Sequence, residues 1–151
     1  MAKTTYTATH NGRSFTRKSH RTYTHAVLVP VSKAARREEA ASDARRVWKT
    51  NLAWQQSTVD GTNPHFAKYP EQYTPELLEK ERQDAAAWLA NGEDGMVADA
   101  LARFDARAAE WELDADGDTL WLLSGFCGRE DLARKLAAKD PGAIIVPAVA
   151  K

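Results

Sequence analysis

The chain has 151 residues, 43% hydrophobic and 28% charged, with twenty-one Lys/Arg balanced by twenty-one Asp/Glu. That length and balance exclude wholesale disorder and point to a single domain, residues 1–151, with an apolar core of its own. One cysteine excludes an intrachain disulfide, the opening "MAKTTYTATHNG" has no apolar signal-like run, and "AVLVPV" and "AIIVPAVA" are too short to span a bilayer, so a cytoplasmic protein without membrane contact is expected.

The elements follow in chain order. Thr5 to His10, Asn11-Gly12 and Arg13 to Lys18 read as a β-hairpin, because both central residues of a type I′ turn need positive φ. A two-residue loop sets His10 opposite Arg13, Ala8 opposite Phe15 and Tyr6 opposite Arg17, leaving the other face a row of hydroxyls with Lys18. Arg21 to Val31 reads as a third strand, with Arg21, Tyr23, His25, Val27, Val29 and Val31 on one side and Pro30 marking an edge or strand end.

Ser32 is an N-cap for a long helix to about Gln56. At 100° steps Ala40, Ala41, Ala44, Val47, Trp48, Leu52 and Trp54 share one face and Arg45, Arg46 and Lys49 the other, with Asp43 in reach of Arg46. Residues 57–73, "STVDGTNPHFAKYPEQY", form the one long irregular segment, of a length that is often functional or mobile. Thr74 caps a second helix that Asn91-Gly92 ends, and a third starts near Asp94. Residues 111–118 are either a helix end or a hairpin tip; Thr119 to Ser124 is a strand, Arg129 to Lys139 a helix and Ala143 to Val149 a strand, together a β-α-β unit. The expected fold is α+β: an N-terminal hairpin and third strand, a helical middle and a closing β-α-β, with helices packed on a small mixed sheet.

No sequence pattern announces catalysis or metal binding. Asp114, Asp116 and Asp118 begin like an EF-hand loop, but the glycine comes two places early and no glutamate closes the loop. His10, His20, His25 and His65 lack zinc-ligand spacing, no phosphate-binding glycine loop is present, and Cys127 lacks the arginine six residues on that a phosphatase loop needs. No cofactor, metal or catalytic residue is therefore assigned. A small enzyme using His25 or Cys127 is the third and last of the readings.

Charge is the stronger signal. Residues 1–50 hold eleven Lys/Arg against three Asp/Glu, and the remainder ten against eighteen. A basic strand surface with interleaved aromatics is what single-stranded nucleic acid stacks on, and a basic helix stripe adds phosphate contacts. The first reading is thus a non-enzymatic nucleic-acid-binding protein, with Arg17, Arg21, Tyr23, His25, Arg45, Arg46 and Lys49 as contact residues. Residues 5–27, "TYTATHNGRSFTRKSHRTYTHAV", and 128–142, "GREDLARKLAAKDPG", resemble the ends of small uncharacterised proteins of actinobacterial phages and plasmids. That resemblance carries no activity with it; it implies a mobile-element setting. The second reading follows: a protein that binds and inhibits or adapts a host protein through its acidic half or the 57–73 segment.

Overall fold

The computed structural model describes residues 2–151. They form an α+β fold with the elements β1 (Thr4–His10), β2 (Arg13–Ser19), β3 (His25–Ser32), α1 (Lys33–Asp60), α2 (Pro64–Lys68), α3 (Pro75–Ala108), β4 (Thr119–Cys127), α4 (Glu130–Ala137), β5 (Ile144–Pro147) and β6 (Val149–Ala150). The described chain gathers into two compact units, residues 2–36 with 110–151 and residues 37–109. Among the described residues, no helix is long and apolar enough to cross a membrane.

The β unit starts from the N-terminal hairpin. Asn11 and Gly12 both take positive φ, 48° and 80°, and the register pairs His10 with Arg13, Ala8 with Phe15 and Tyr6 with Arg17. A side chain other than Gly, Asn or Asp is costly in that conformation, so these two residues dictate the turn and with it the register. β6 then pairs with β1 on the side away from β2, completing a sheet of order β2-β1-β6.

The expected single mixed sheet is instead two antiparallel three-stranded sheets, the second of order β4-β3-β5. β4, α4 and β5 do form a β-α-β unit whose strands run the same way. But β3 lies between them and pairs antiparallel with both. The reason is burial. Ala26, Val27 and Leu28 are all 0% exposed, so β3 needs cover on both faces and takes the centre of the sheet. One face, with Ala26 and Leu28, packs with Phe126 and Val146 against Tyr6 and Ala8 of the first sheet. The other sets Val27 and Cys127 against Ala133, Leu136 and Ala137 of α4. Pro30 falls where β3 has run past β5, so its missing N–H leaves no ladder bond unmade on that side.

The expected third strand from Arg21 is also shorter. β2 ends at Ser19 and β3 begins at His25, leaving Arg21 and Tyr23 in a bend between the two sheets. The 111–118 segment is neither helix nor ladder but a turn closing on β4, and its three aspartates act as staples. Asp114 accepts from the Trp121 indole at 2.7 Å and from Asn11 at 3.1 Å. Asp116 accepts from the Thr119 hydroxyl at 2.6 Å and from the backbone N–H groups of Asp118 and Thr119 at 2.9 Å each. Asp118 accepts from the Ser32 hydroxyl at 2.6 Å and the Ala34 N–H at 2.8 Å, and these bonds hold its carboxyl below the usual range. Ser32 in turn accepts from the Ala35 N–H at 3.2 Å, so the predicted cap starts α1 with the Asp118 carboxylate behind it.

The second unit is a helical hairpin. Arg37 pairs with Asp105 (2.9 Å), and Trp48 stacks on Trp88 (5.6 Å between centroids, 9° between planes), so α3 returns antiparallel along α1. The seam on α1 is Ala41, Ala44, Trp48, Asn51, Gln55 and Thr58 at alternating three- and four-residue steps. Val47 and Trp54, expected on the buried face, lie at its flank and are 40% and 45% exposed, because two helices cover a narrower stripe than a full core does. Thr74 caps α3 as predicted, accepting from the Leu77 N–H at 3.3 Å. Gly92, at φ 71° and ψ 179°, breaks that helix where a stop was expected, and it resumes at once beyond the kink.

Candidate functional site

The nucleic-acid contact residues drawn from the sequence fall in both units. Arg17, Arg21, Tyr23 and His25 belong to the β unit, whereas Arg45, Arg46 and Lys49 belong to the helical hairpin. Arg17 and Arg21 are exposed, and so are Arg45, Arg46 and Lys49, with Arg46 paired to Asp43 at 3.5 Å. Tyr23 is the correction. It is 8% exposed, edge-on to Tyr6 at 5.2 Å and against Phe126 at 5.6 Å, with its hydroxyl 3.3 Å from Ser19 Oγ. The residues of the bend reset the strand alternation, and an aromatic beside a two-sheet core is stabilised far more by burial than by facing water. Arg17 lies over the Tyr23 ring at 5.4 Å and Arg13 over Phe15 at 5.0 Å, so the aromatics of this region serve as floors for its own arginines rather than as open stacking platforms.

His25 is half-buried, its Nδ1 2.7 Å from Thr24 Oγ1, and it stands opposite Cys127 in the β3–β4 register. Cys127 is a free, buried thiol, and burial pushes its pKa up, which disfavours the nucleophilic thiolate. Glu130 and Asp131 fill the first turn of the helix that follows. Each of these features works against activation of the sulfur.

A well-defined concavity lies elsewhere, where α1 hands over to α3. Residues 57–73, expected to be irregular, contain the end of α1 and all of α2. Asn63 organises the corner. Its side chain accepts from the His65 N–H at 3.0 Å and donates to Thr58 Oγ1 at 3.1 Å, while Thr58 donates to the Trp54 carbonyl at 2.8 Å. Both Asn63 and Thr58 are buried, so this polar relay is paired within itself. It holds α2 so that His65 becomes the hub of an aromatic cluster, 5.2 Å from Trp54, 5.2 Å from Tyr69 and 5.8 Å from Tyr73 between ring centroids, with Nε2 3.1 Å from the Tyr73 hydroxyl. Phe66 meets Tyr73 edge-on at 4.8 Å.

Below this cluster opens a groove of about 620 Å³, walled by Phe66, Ala67, Pro70, Tyr73, Pro75 and Leu78 and bordered by Glu79 and Arg82. That is ample for one or two side chains of a partner. Arg82 Nε donates to Glu79 at 2.8 Å and Gln83 donates to the same carboxylate at 3.1 Å, and these bonds hold the Glu79 pKa at about 2. Trp54, Tyr69, Leu77 and Leu78 are all more than a third exposed in the same stretch of chain. The sequence signal for this site was present in 57–73: four aromatic or imidazole side chains between turn-forming prolines. Which of them would share one wall was not readable without α2. The chain matches no protein-family model, no curated protein and no solved structure.

Proposed function

We propose that this chain is a non-enzymatic binding protein that takes an apolar anchor of a partner protein into the groove at the closed end of its helical hairpin. The observation carrying this reading is the concentration there of a preformed 620 Å³ groove and exposed Trp54, Tyr69 and Leu78. Large exposed apolar groups gathered in one place mark interaction surfaces, whereas single ones are ordinary. By helix rise the groove lies about 35 Å along α1 from Arg37, where the chain enters the hairpin. In the mobile-element setting that the resemblance of residues 5–27 and 128–142 implies, such a protein acts by occupying or redirecting a host protein, in the cytoplasm, where Cys127 stays reduced. The test is panning of a random peptide library on the wild type and on Leu78→Arg. Peptides with a common apolar anchor, enriched on the wild type and lost on a normally folded Leu78→Arg, are the expected result. Failure to enrich any such sequence overturns the reading.

A second reading, nucleic-acid contact, is favoured by one specific observation. The first 36 residues hold seven Lys/Arg and no Asp/Glu, and exposed Arg17, Lys18 and Arg21 have no carboxylate partner among the described residues. Such a cluster contacts phosphates without reading bases. Fluorescence anisotropy with labelled DNA and RNA, single- and double-stranded, should then show affinity that falls steeply with salt and is lost on Arg17→Ala with Arg21→Ala. No binding at low salt overturns it.

A further inference from the structure

We infer that the occupant of the hairpin groove is a cationic amphipathic peptide segment, an aliphatic or aromatic anchor flanked by arginine or lysine; this rests on the groove being the recognition site. Charge complementarity carries the inference. Between residues 57 and 82 stand five Asp/Glu and three Lys/Arg. The Glu79 carboxylate is tied to Arg82, which removes that arginine as a repulsive group. Of the other two cations, Lys68 lies over the Tyr69 ring, Nζ 5.6 Å from its centroid. What remains is Asp60, Glu71, Glu76 and Glu81, all exposed and without an ion pair among the described residues, against the two charges of Lys68 and Lys80. Three of these carboxylates adjoin groove-lining residues in the chain: Asp60 beside Gly61, Glu71 beside Pro70, and Glu76 beside Pro75. Apolar walls within a negative field select a ligand that is apolar at its anchor and positive at its flanks. The Lys68–Tyr69 contact shows the aromatic cluster already holding a cation at ring-face distance, and a guanidinium or ammonium from a partner finds the same kind of surface.

Three labelled peptides test this by anisotropy: leucines alternating with arginine, with serine, or with glutamate, against wild type, Leu78→Arg and the double variant Glu71→Gln with Glu76→Gln. The expected result is that the arginine peptide binds the wild type about tenfold or more tighter than the glutamate peptide, by charge steering and rejection of the wrong sign. The preference should shrink with added salt and in the double glutamine variant, and binding should be lost in Leu78→Arg. Equal binding of all three peptides overturns the cationic preference while leaving the groove reading intact. Arginine-peptide binding that survives Leu78→Arg overturns the inference by placing the contact on the acidic helix surface outside the groove. Binding of none of the three overturns both.

Discussion

Replacing Tyr23 with alanine separates a core residue from a contact residue. Its ring touches Tyr6 and Phe126, and its exposure is 8%. Large aromatic-to-alanine changes in cores cost about 3–5 kcal/mol through lost transfer energy and the cavity left behind, with ring–ring pairs adding about 0.5–1.5 kcal/mol each within that total. Because the bend holding Tyr23 sits between the two sheets and can relax partly, we expect about 3 kcal/mol. At a urea m-value of roughly 1.5 kcal/mol/M for a unit of this size, the midpoint falls by about 2 M. Tyr23→Phe, which gives up only the long hydroxyl contact to Ser19, should cost no more than about 1 kcal/mol. Arg17→Ala removes a side chain that is exposed apart from its place over the ring and should stay within about 1 kcal/mol. The assay is urea unfolding followed by hydrogen exchange of the Ala26, Val27 and Leu28 amides, which report on the β unit independently of the hairpin tryptophans. A Tyr23→Ala protein that unfolds at the wild-type urea concentration refutes the placement of this ring in the core.

Gly92→Ala tests the kink: helix propensity alone says alanine gains about 1 kcal/mol, but at φ 71° and ψ 179° the substitution should cost about 1–3 kcal/mol and lower the thermal midpoint of the helical signal. Ser32→Ala should cost about 1 kcal/mol in chemical denaturation, since it removes the acceptor of the Ala35 N–H at the start of α1. Cys127 should react with iodoacetamide near pH 8 at least about tenfold more slowly in the folded protein than in urea, because its raised pKa keeps it protonated where an unfolded thiol is partly ionised; equal rates in both states contradict its burial.

Several features were legible from a few consecutive residues, and their physical causes are local. Asn11-Gly12 set the turn, and a two-residue loop leaves one register for the hairpin. Ser32 and Thr74 supply acceptors to N–H groups three residues on, and Gly92 breaks the helix pattern at the position where it stands. Those interactions close within a turn or two of chain, so no knowledge of distant segments is needed. Tyr23 was misread because its facing depends on how residues 20–24 leave one sheet and enter another. Strand alternation carries no information across such a break. The choice between one mixed sheet and two antiparallel ones likewise depended on which strand most needed cover on both faces, and β3 won the central place through Ala26, Val27 and Leu28. The aromatics of 57–73 were visible as composition, but their common wall exists only because Asn63 and Thr58 fix α2 against the end of α1. Local sequence therefore determined where elements start, turn and stop. Tertiary packing decided which faces they bury and what they leave open, because burial is a competition among all the apolar surfaces of the chain at once.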